Sequence, residues 1–356
     1  MVNKKYEKLM AKCISLAKKS EGKNLPNPYV GAIIYDEKND KIISTGYHEL
    51  FGSNHAEVNA INNAKGNTKG KTLIVNLEPC SHFGKTPPCC DLIIKSGIKK
   101  VVYAMDDVNP KVKGKEILKK AKIEVISGVY KEKALELNKV FIKNQFTKKP
   151  YIMLKVASTL DSKIALSNGK SKWITNEKSR HIVQKLRSNY QAIMTGSGTV
   201  LSDNPNLNVR LKNKNSPIRI IFDPNGKLSL KENVFKDDGI RIILISNKKR
   251  NCAFEQIEFK DFDSLLKELF KKGICSIMVE SGAGLNSALL KAGEVDEINY
   301  FIAPKIFGGG LDFIKGFDLN EISSAIELYN VKIKKIDDDI LINAKIKKEN
   351  SIWNFL

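Results

Sequence analysis

Aliphatic and β-branched runs alternate with amphipathic helical stretches along this chain, and the alternation restarts once, around "NQFTKKPY". No other feature constrains the fold as much, because strands separated by helices assemble as mostly parallel sheets with helices on their faces. In the first half a helix at about 4–20 leads to the turn "NLPNPYVG". Strands "GAIIYD", "KIISTGYH", "KTLIVNLEP", "KKVVYAMD" and "KIEVISG" then alternate with helices near "HAEVNAINNA", "CDLIIKSG" and "GKEILKKA". A helix "EKALELNKVFIKNQ" runs into the Pro and paired lysines of a linker. In the second half, strands "YIMLKVAS", "QAIMTG", "IRIIFD", "RIILIS", "SIMVES" and "EINYFIAP" are interleaved with helices "EKSRHIVQKLRSN", "DSLLKELFKKG" and "LNSALLKAG". Two α/β domains follow, residues 1–146 and 147–356, as expected for 356 residues.

The net charge of +21 invites a nucleic-acid partner. That charge is lysine scattered along the whole chain, while arginine, the residue suited to bidentate phosphate and base contacts, is scarce. The same field serves an anionic small molecule, and no nucleic-acid partner is expected. No run of 18 apolar residues suggests a membrane span, and the basic N-terminus lacks a signal-peptide core, so a cytoplasmic location is expected. Three of the six cysteines crowd between positions 80 and 90, which favours reduced, metal-binding thiols over disulfides.

His55, Cys80 and Cys89 would supply one imidazole and two thiolates, three of the four ligands of tetrahedral zinc. Three protein ligands leave a position for water, and Glu57 could move that water's protons. "EPC" suggests a helix starting at Cys80, whose free N–H groups would stabilise a thiolate. These are the parts of a hydrolytic deaminase. A structural zinc would use similar residues, and Cys90 is an alternative ligand on sequence alone. The eight residues between Cys80 and Cys89 must pass near the metal, which makes His82 and Lys85 candidates for holding substrate. In the second half, "SIMVESGAGLNSALL" and "MTGSGTVLSDNP" place Gly-bearing turns after strands, where backbone N–H groups can face a phosphate. Arg187 and Arg210 offer planar guanidinium groups to the same kind of ligand.

"PNPYVGAII", "HAEVNAI", "LEPCSHFGKTPPCC" and "DDVNPKVKGKE" resemble the deaminase half of the bifunctional riboflavin-biosynthesis deaminase/reductase family. "LKVASTLDSKIALSNGKSKWIT", "TGSGTVLSDNPNLNVR", "MVESGAGLNSALL" and "YFIAPKIFGG" resemble its reductase half. The resemblance implies a cytidine-deaminase-like α/β/α domain followed by a dihydrofolate-reductase-like α/β domain, with zinc and NADPH as cofactors. It implies His55, Cys80 and Cys89 as zinc ligands, Glu57 as proton shuttle, and Asn27, His82 and Lys85 as substrate contacts. Cofactor would meet Ala157, Trp173, Thr199 and Asp203, and the turn of Gly282, Ala283, Gly284, Leu285, Asn286, Ser287 and Ala288. The second substrate would meet Ser171, Arg187, Leu207, Arg210 and Glu280. Lys155 is either a proton donor to the sugar or an ordinary strand-end lysine. The implied chemistry is removal of the 2-amino group of a phosphoribosyl diaminopyrimidinone, then reduction of its ribosyl group to a ribityl chain. The family also implies a homo-oligomer, and the apolar "EINYFIAP" is either a strand of such an interface or simply core. Two departures stand out: Ser162 where the family usually has Gly, and Pro224 where a hydroxyl residue is common.

Overall fold

The computed structural model describes residues 4–82, 87–317 and 319–348. It divides into two compact units, Met1–Thr147 and Lys148–Leu356.

The first unit opens with α1 (Lys4–Ala17) and the strands β1 (Gly31–Asp36) and β2 (Lys41–Tyr47). It continues through α2 (Ala56–Asn63), β3 (Thr72–Leu77), α3 (Cys89–Lys95), β4 (Lys100–Met105), α4 (Gly114–Lys120) and β5 (Glu124–Ile126). Helices α5 (Lys131–Leu137) and α6 (Lys139–Thr147) close it. The sheet order is β2-β1-β3-β4-β5. Only β3/β4 and β4/β5 pair in parallel; β1 is antiparallel to both β2 and β3. The expectation of a mostly parallel sheet fails here for a simple reason. Four residues join β1 to β2, too few for the crossover that a parallel pair requires. Every residue of β3 is buried, as a strand covered on both faces should be. Tyr6, Met10, Cys13, Ile14 and Ala17 form the buried stripe of α1.

The stretch expected as one helix before the linker breaks at Asn138. Its side chain accepts from the Tyr29 N–H at 2.7 Å and donates to the Tyr29 carbonyl at 3.2 Å.

The second unit contains β6 (Tyr151–Thr159), β7 (Lys163–Ala165), α7 (Glu177–Asn189), β8 (Ala192–Gly196), α8 (Ser197–Asp203), β9 (Ile218–Phe222) and β10 (Ile242–Ile245). Beyond them come β11 (Glu255–Ile257), α9 (Phe262–Lys271), β12 (Ser276–Val279), α10 (Ala283–Lys291), β13 (Glu297–Ala303) and β14 (Leu311–Asp312). The hairpin β15 (Leu328–Ile336) and β16 (Asp339–Ile346) follows. Nine strands run in the order β11-β10-β9-β8-β12-β6-β13-β16-β15, and β14 pairs with β7 separately. The first seven are parallel, and the hairpin adds two antiparallel strands. One large core joins the sheet to α9 and α10 through Leu265, Leu266, Leu269, Leu285 and Leu289; a smaller one joins it to α7 through Val183.

The Gly-bearing turn expected at "MTGSGTVLSDNP" is short: β8 ends at Gly196, which caps α8 directly. "EINYFIAP" is β13, paired on both edges and mostly buried, so it is core rather than interface. Sequence pattern assigns no strand after residue 304, yet β15 and β16 lie there. Ser162 adopts the left-handed conformation (φ 64°) that a glycine would take without strain. Among the described residues no helix is long and apolar enough to cross a membrane.

Candidate functional site

In the first unit His55 occupies the cap position of α2 with extended backbone, which places its ring ahead of the helix and Glu57 in the first turn. The helix can sit there because residue 46 of β2 has no side chain. A Cβ on Gly46 would lie 2.4 Å from the Ala60 nitrogen and 2.5 Å from the Ala56 oxygen. Similarly, Gly114 lets α4 abut the Pro79 carbonyl, one residue before Cys80.

His55 Nδ1 lies 3.2 Å from Cys89 Sγ and 3.5 Å from Cys80 Sγ. All three donor atoms fall within 4.8 Å of one another. Ordinary Zn–N and Zn–S bonds at tetrahedral angles need donor separations of about 3.6 Å. The nitrogen and two sulfurs therefore fit zinc in number, type and spacing. The helix expected at Cys80 begins instead at Cys89, and the Cys89 N–H donates to Cys80 Sγ at 3.3 Å. A hydrogen bond from the Cys89 thiol, opposed by burial and reinforced by His55 and that N–H, brings Cys80 down to about 4. The same bond, together with burial, pushes Cys89 up. Cys90 faces away, toward the Pro79 carbonyl at 3.6 Å, and stands outside the donor group.

Glu57 is only 4% exposed. Burial, helped by the charge of Cys80 and opposed by His55, pushes its carboxyl up to about 7.

Sequence reasoning passes over His48, at the end of β2. Its Nδ1 lies 2.9 Å from the Asn54 carbonyl and its Nε2 lies 2.9 Å from Asn27 Nδ2. A carbonyl only accepts, so Nδ1 carries the proton and Nε2 accepts from Asn27. That pairing turns the amide of Asn27 so that its oxygen is left for another partner. The turn bearing Asn27 is clamped further by Asn76, which accepts from the Gly31 N–H at 2.7 Å and donates to the Tyr29 carbonyl at 2.9 Å. His48 also meets His55 edge-on, ring centroids 5.4 Å apart. The signal was available, since histidine is rare here and this one ends a strand.

His82 is exposed beyond Cys80, and Lys85 lies outside the described residues. Buried Glu78, also missed, accepts from the Asp107 and Lys115 N–H groups at 3.2 and 2.8 Å, tying the cysteine loop to the loop after β4.

The second unit carries a cleft of about 920 Å3 that contains Lys155, Ala157, Ser171, Trp173, Arg187, Thr199, Asp203, Leu207, Arg210, Glu280 and the Gly282–Leu285 turn. Asn286, Ser287 and Ala288 continue α10 away from its mouth; Asn286 and Ser287 are buried. Glu280 anchors one wall. Arg187 Nε and Nη2 reach its two carboxylate oxygens at 2.6 and 3.0 Å, and Lys155 Nζ is 3.5 Å away. Burial alone would raise the Glu280 pKa; the charges of Arg187 and Lys155 overcome it and hold the group at about 2. The third guanidinium donor of Arg187 goes to the Asn208 carbonyl at 3.1 Å. Its fork is thus committed within the protein. Arg210 is exposed, and among the described residues only its backbone is tied, its N–H donating to Gln184 Oε1 at 2.9 Å.

The same cleft takes in two helix N-termini, α8 and α10, capped by Gly196 and Gly282 without side-chain hydrogen bonds. Thr199 Oγ1 accepts from the Gly282 N–H at 3.0 Å and links them. A Cβ on Gly198 would meet nothing within 4 Å, so the backbone there is open. Paired, glycine-capped helix starts facing one cleft suit the diphosphate of a dinucleotide. Ser171 donates to Asp203 at 3.0 Å across the cleft's rim. Pro224 lies in the wall and offers no donor.

Residues 3–105 match the family model for the cytidine and deoxycytidylate deaminase zinc-binding region, and residues 150–342 match that for the RibD C-terminal domain. The chain is 42% identical over 357 residues to the riboflavin biosynthesis protein RibD of Aquifex aeolicus, covering 97% of this chain and 98% of that one. It is 36% identical to RibD of Escherichia coli, over 95% of this chain and 98% of that one. The crystal structure of a diaminohydroxyphosphoribosylaminopyrimidine deaminase/5-amino-6-(5-phosphoribosylamino)uracil reductase from Thermotoga maritima superposes with a TM-score of 0.90 at 41% identity, covering 96% of this chain and 99% of that one. RibD of Acinetobacter baumannii gives a TM-score of 0.88 at 35% identity, over 97% and 99%.

Fold and sites together define a zinc-dependent deaminase joined to an NADPH-dependent reductase, a hydrolase and an oxidoreductase on one polypeptide. The chain belongs to the RibD family of bifunctional riboflavin-biosynthesis enzymes.

Proposed function

We propose that residues 1–146 deaminate 2,5-diamino-6-ribosylamino-4(3H)-pyrimidinone 5′-phosphate at C2, and that residues 147–356 then reduce its ribosyl group to give 5-amino-6-(5-phosphoribitylamino)uracil. The observation that carries this reading is the His55–Cys80–Cys89 donor triangle with a buried carboxyl, Glu57, one residue beyond the first ligand's neighbour. Zinc held there supplies a water of lowered pKa. Glu57, poised near neutrality, holds and moves the proton that the departing amino group requires. Asn27, oriented by His48, presents its carbonyl oxygen to the pyrimidine, and His82 and Lys85 hold the ribose phosphate.

In the reductase half NADPH supplies the hydride. The start of α10 at Gly282–Leu285, with Thr199 and Asp203, holds its phosphates and ribose, Asn286, Ser287 and Ala288 support that start from within the helix, and Ala157 and Trp173 border the nicotinamide end. Lys155, 3.5 Å from Glu280, donates a proton to the sugar oxygen. Arg210, with Ser171 and Leu207, receives the phosphorylated substrate, while Arg187 fixes Glu280. The partners are small phosphorylated pyrimidines, with no nucleic acid and no membrane, in a cytoplasmic homo-oligomer.

The test is an assay of ammonia release and NADPH oxidation with the phosphoribosyl diaminopyrimidinone. Wild type should do both, and a zinc chelator should stop ammonia release. Glu57→Gln should retain zinc and lose at least about 100-fold in ammonia release, the usual scale of a proton-transfer residue. Near-wild-type deamination by Glu57→Gln, with zinc bound, would remove the shuttle assignment.

A further inference from the structure

We infer that Lys305, supported by Arg180, is a positioning residue for the reductase cofactor: it acts from behind Trp173 by fixing the backbone that presents the indole. The inference rests on the reading of Trp173 as a cofactor contact.

Residues 166–176 carry no helix or strand; a turn closes Leu166, Gly169 and Lys170 on one another, while the carbonyls of Trp173, Ile174 and Thr175 take donors from outside the segment. Trp173 within that stretch is 60% exposed, large for an aromatic on the wall of a cleft. Its backbone, by contrast, is firmly held. Lys305 Nζ donates to the Trp173 carbonyl at 3.0 Å and to the Ile174 carbonyl at 2.7 Å. Arg180 donates to the Thr175 carbonyl at 2.6 Å while its guanidinium lies 4.6 Å from the indole centroid. Among the described residues no carboxylate pairs with Lys305, so its ammonium is directed at these two carbonyls.

Lys305 itself stands on a fixed base. Its carbonyl accepts from the Leu160 N–H at 2.8 Å, and the Asp161 carboxylate accepts from the N–H groups of Phe307 and Gly308 at 3.1 and 2.8 Å. Leu160 directly follows β6, the strand that bears Lys155 and Ala157. The indole is therefore referenced to the same strand as the reacting groups. Ser171, tied to Asp203, and Asn176, whose N–H reaches Asp339 at 2.8 Å, anchor the segment's two ends. Between these ends, Lys305 sets where Trp173 stands.

Loosening that hold lowers the fraction of molecules whose indole is placed for binding, and the apparent Kd rises by the same factor. The hydride step is untouched, because Lys305 is not among the residues that line the cleft and reaches it only through the Trp173 and Ile174 carbonyls.

The experiment uses the full chain carrying Trp353→Phe, which leaves Trp173 as its one tryptophan. NADPH is titrated and energy transfer from the indole to the reduced nicotinamide is read, alongside steady-state kinetics. In Lys305→Gln, Kd and KM for NADPH should both rise about tenfold with kcat within about twofold, and Lys305→Arg should restore affinity to within about threefold. Unchanged affinity in Lys305→Gln, with energy transfer intact in the control, overturns the positioning role and leaves the Trp173 reading standing. Absence of energy transfer in the control at saturating NADPH overturns both. Should Lys305→Gln not fold by circular dichroism, Arg180→Gln takes its place, and an unchanged Kd there counts against the inference.

Discussion

Glu280 shows how a single residue can be held in a state its surroundings oppose. Dehydration disfavours its charge, and two cations prevail over that effect. Because the folded pKa is depressed to about 2, the carboxylate's contribution is fully present above its unfolded value near 4.5 and is lost as pH falls from about 4.5 toward 2. Glu280→Gln leaves Arg187 and Lys155 facing each other without a counter-charge, and it should destabilise the reductase unit by about 3–5 kcal/mol at neutral pH. That deficit should shrink as pH falls through this window. Denaturant unfolding of both forms at neutral pH and near pH 3 checks it; equal stability at neutral pH would refute the account. At this scale the sequence was most legible where chemistry is encoded in residue type: two sulfurs, an imidazole and a carboxyl at fixed spacing announced a metal. It was least legible where a role arises from a partner. Arg187 reads as a phosphate ligand until its fork is seen closed on Glu280 and Asn208. Asn76 and Asn138 have no motif, because they act on backbone groups that only the fold brings near.

Among the elements, α2 carries the metal site because β2 yields space to it at residue 46. Gly46→Ala would force a Cβ into helix backbone, and such overpacking costs about 1–3 kcal/mol or displaces the helix. The expected result is weaker zinc retention and reduced ammonia release with NADPH oxidation preserved, measured by metal analysis and the two assays. Full deaminase activity in this variant would show that α2 has another way to seat. Strands buried on both faces, such as β3, β8 and β12, were readable as continuous apolar runs. The hairpin of β15 and β16 was not. Lysines at 332, 334 and 335 interrupt its apolar alternation, and β15 is exposed for most of its length. The break between α5 and α6 was equally hidden, because Asn138 is an unremarkable helix residue until Tyr29 is placed beside it.

Over the molecule as a whole, the two units hold separate sheets, separate cores and chemically unrelated sites. Residues 148–356 should therefore fold alone and oxidise NADPH when given the deaminated substrate. A folded but inert fragment would show that the reductase depends on its neighbour. The strand–helix alternation restarts locally, next to a Pro, and can be read from the sequence, whereas a spacing between strand partners of more than a hundred residues has no local signature.

The clamp of Asn138 on Tyr29 joins positions 109 residues apart. A nascent chain must therefore have extended past residue 138 before the loop that bears Asn27 and Tyr29 can take its final shape. Until then the zinc ligands are already synthesised but the pocket beside them is unfinished, so competence in the first activity arrives late in the synthesis of that unit, and a truncation only a dozen residues short of its end would forfeit it.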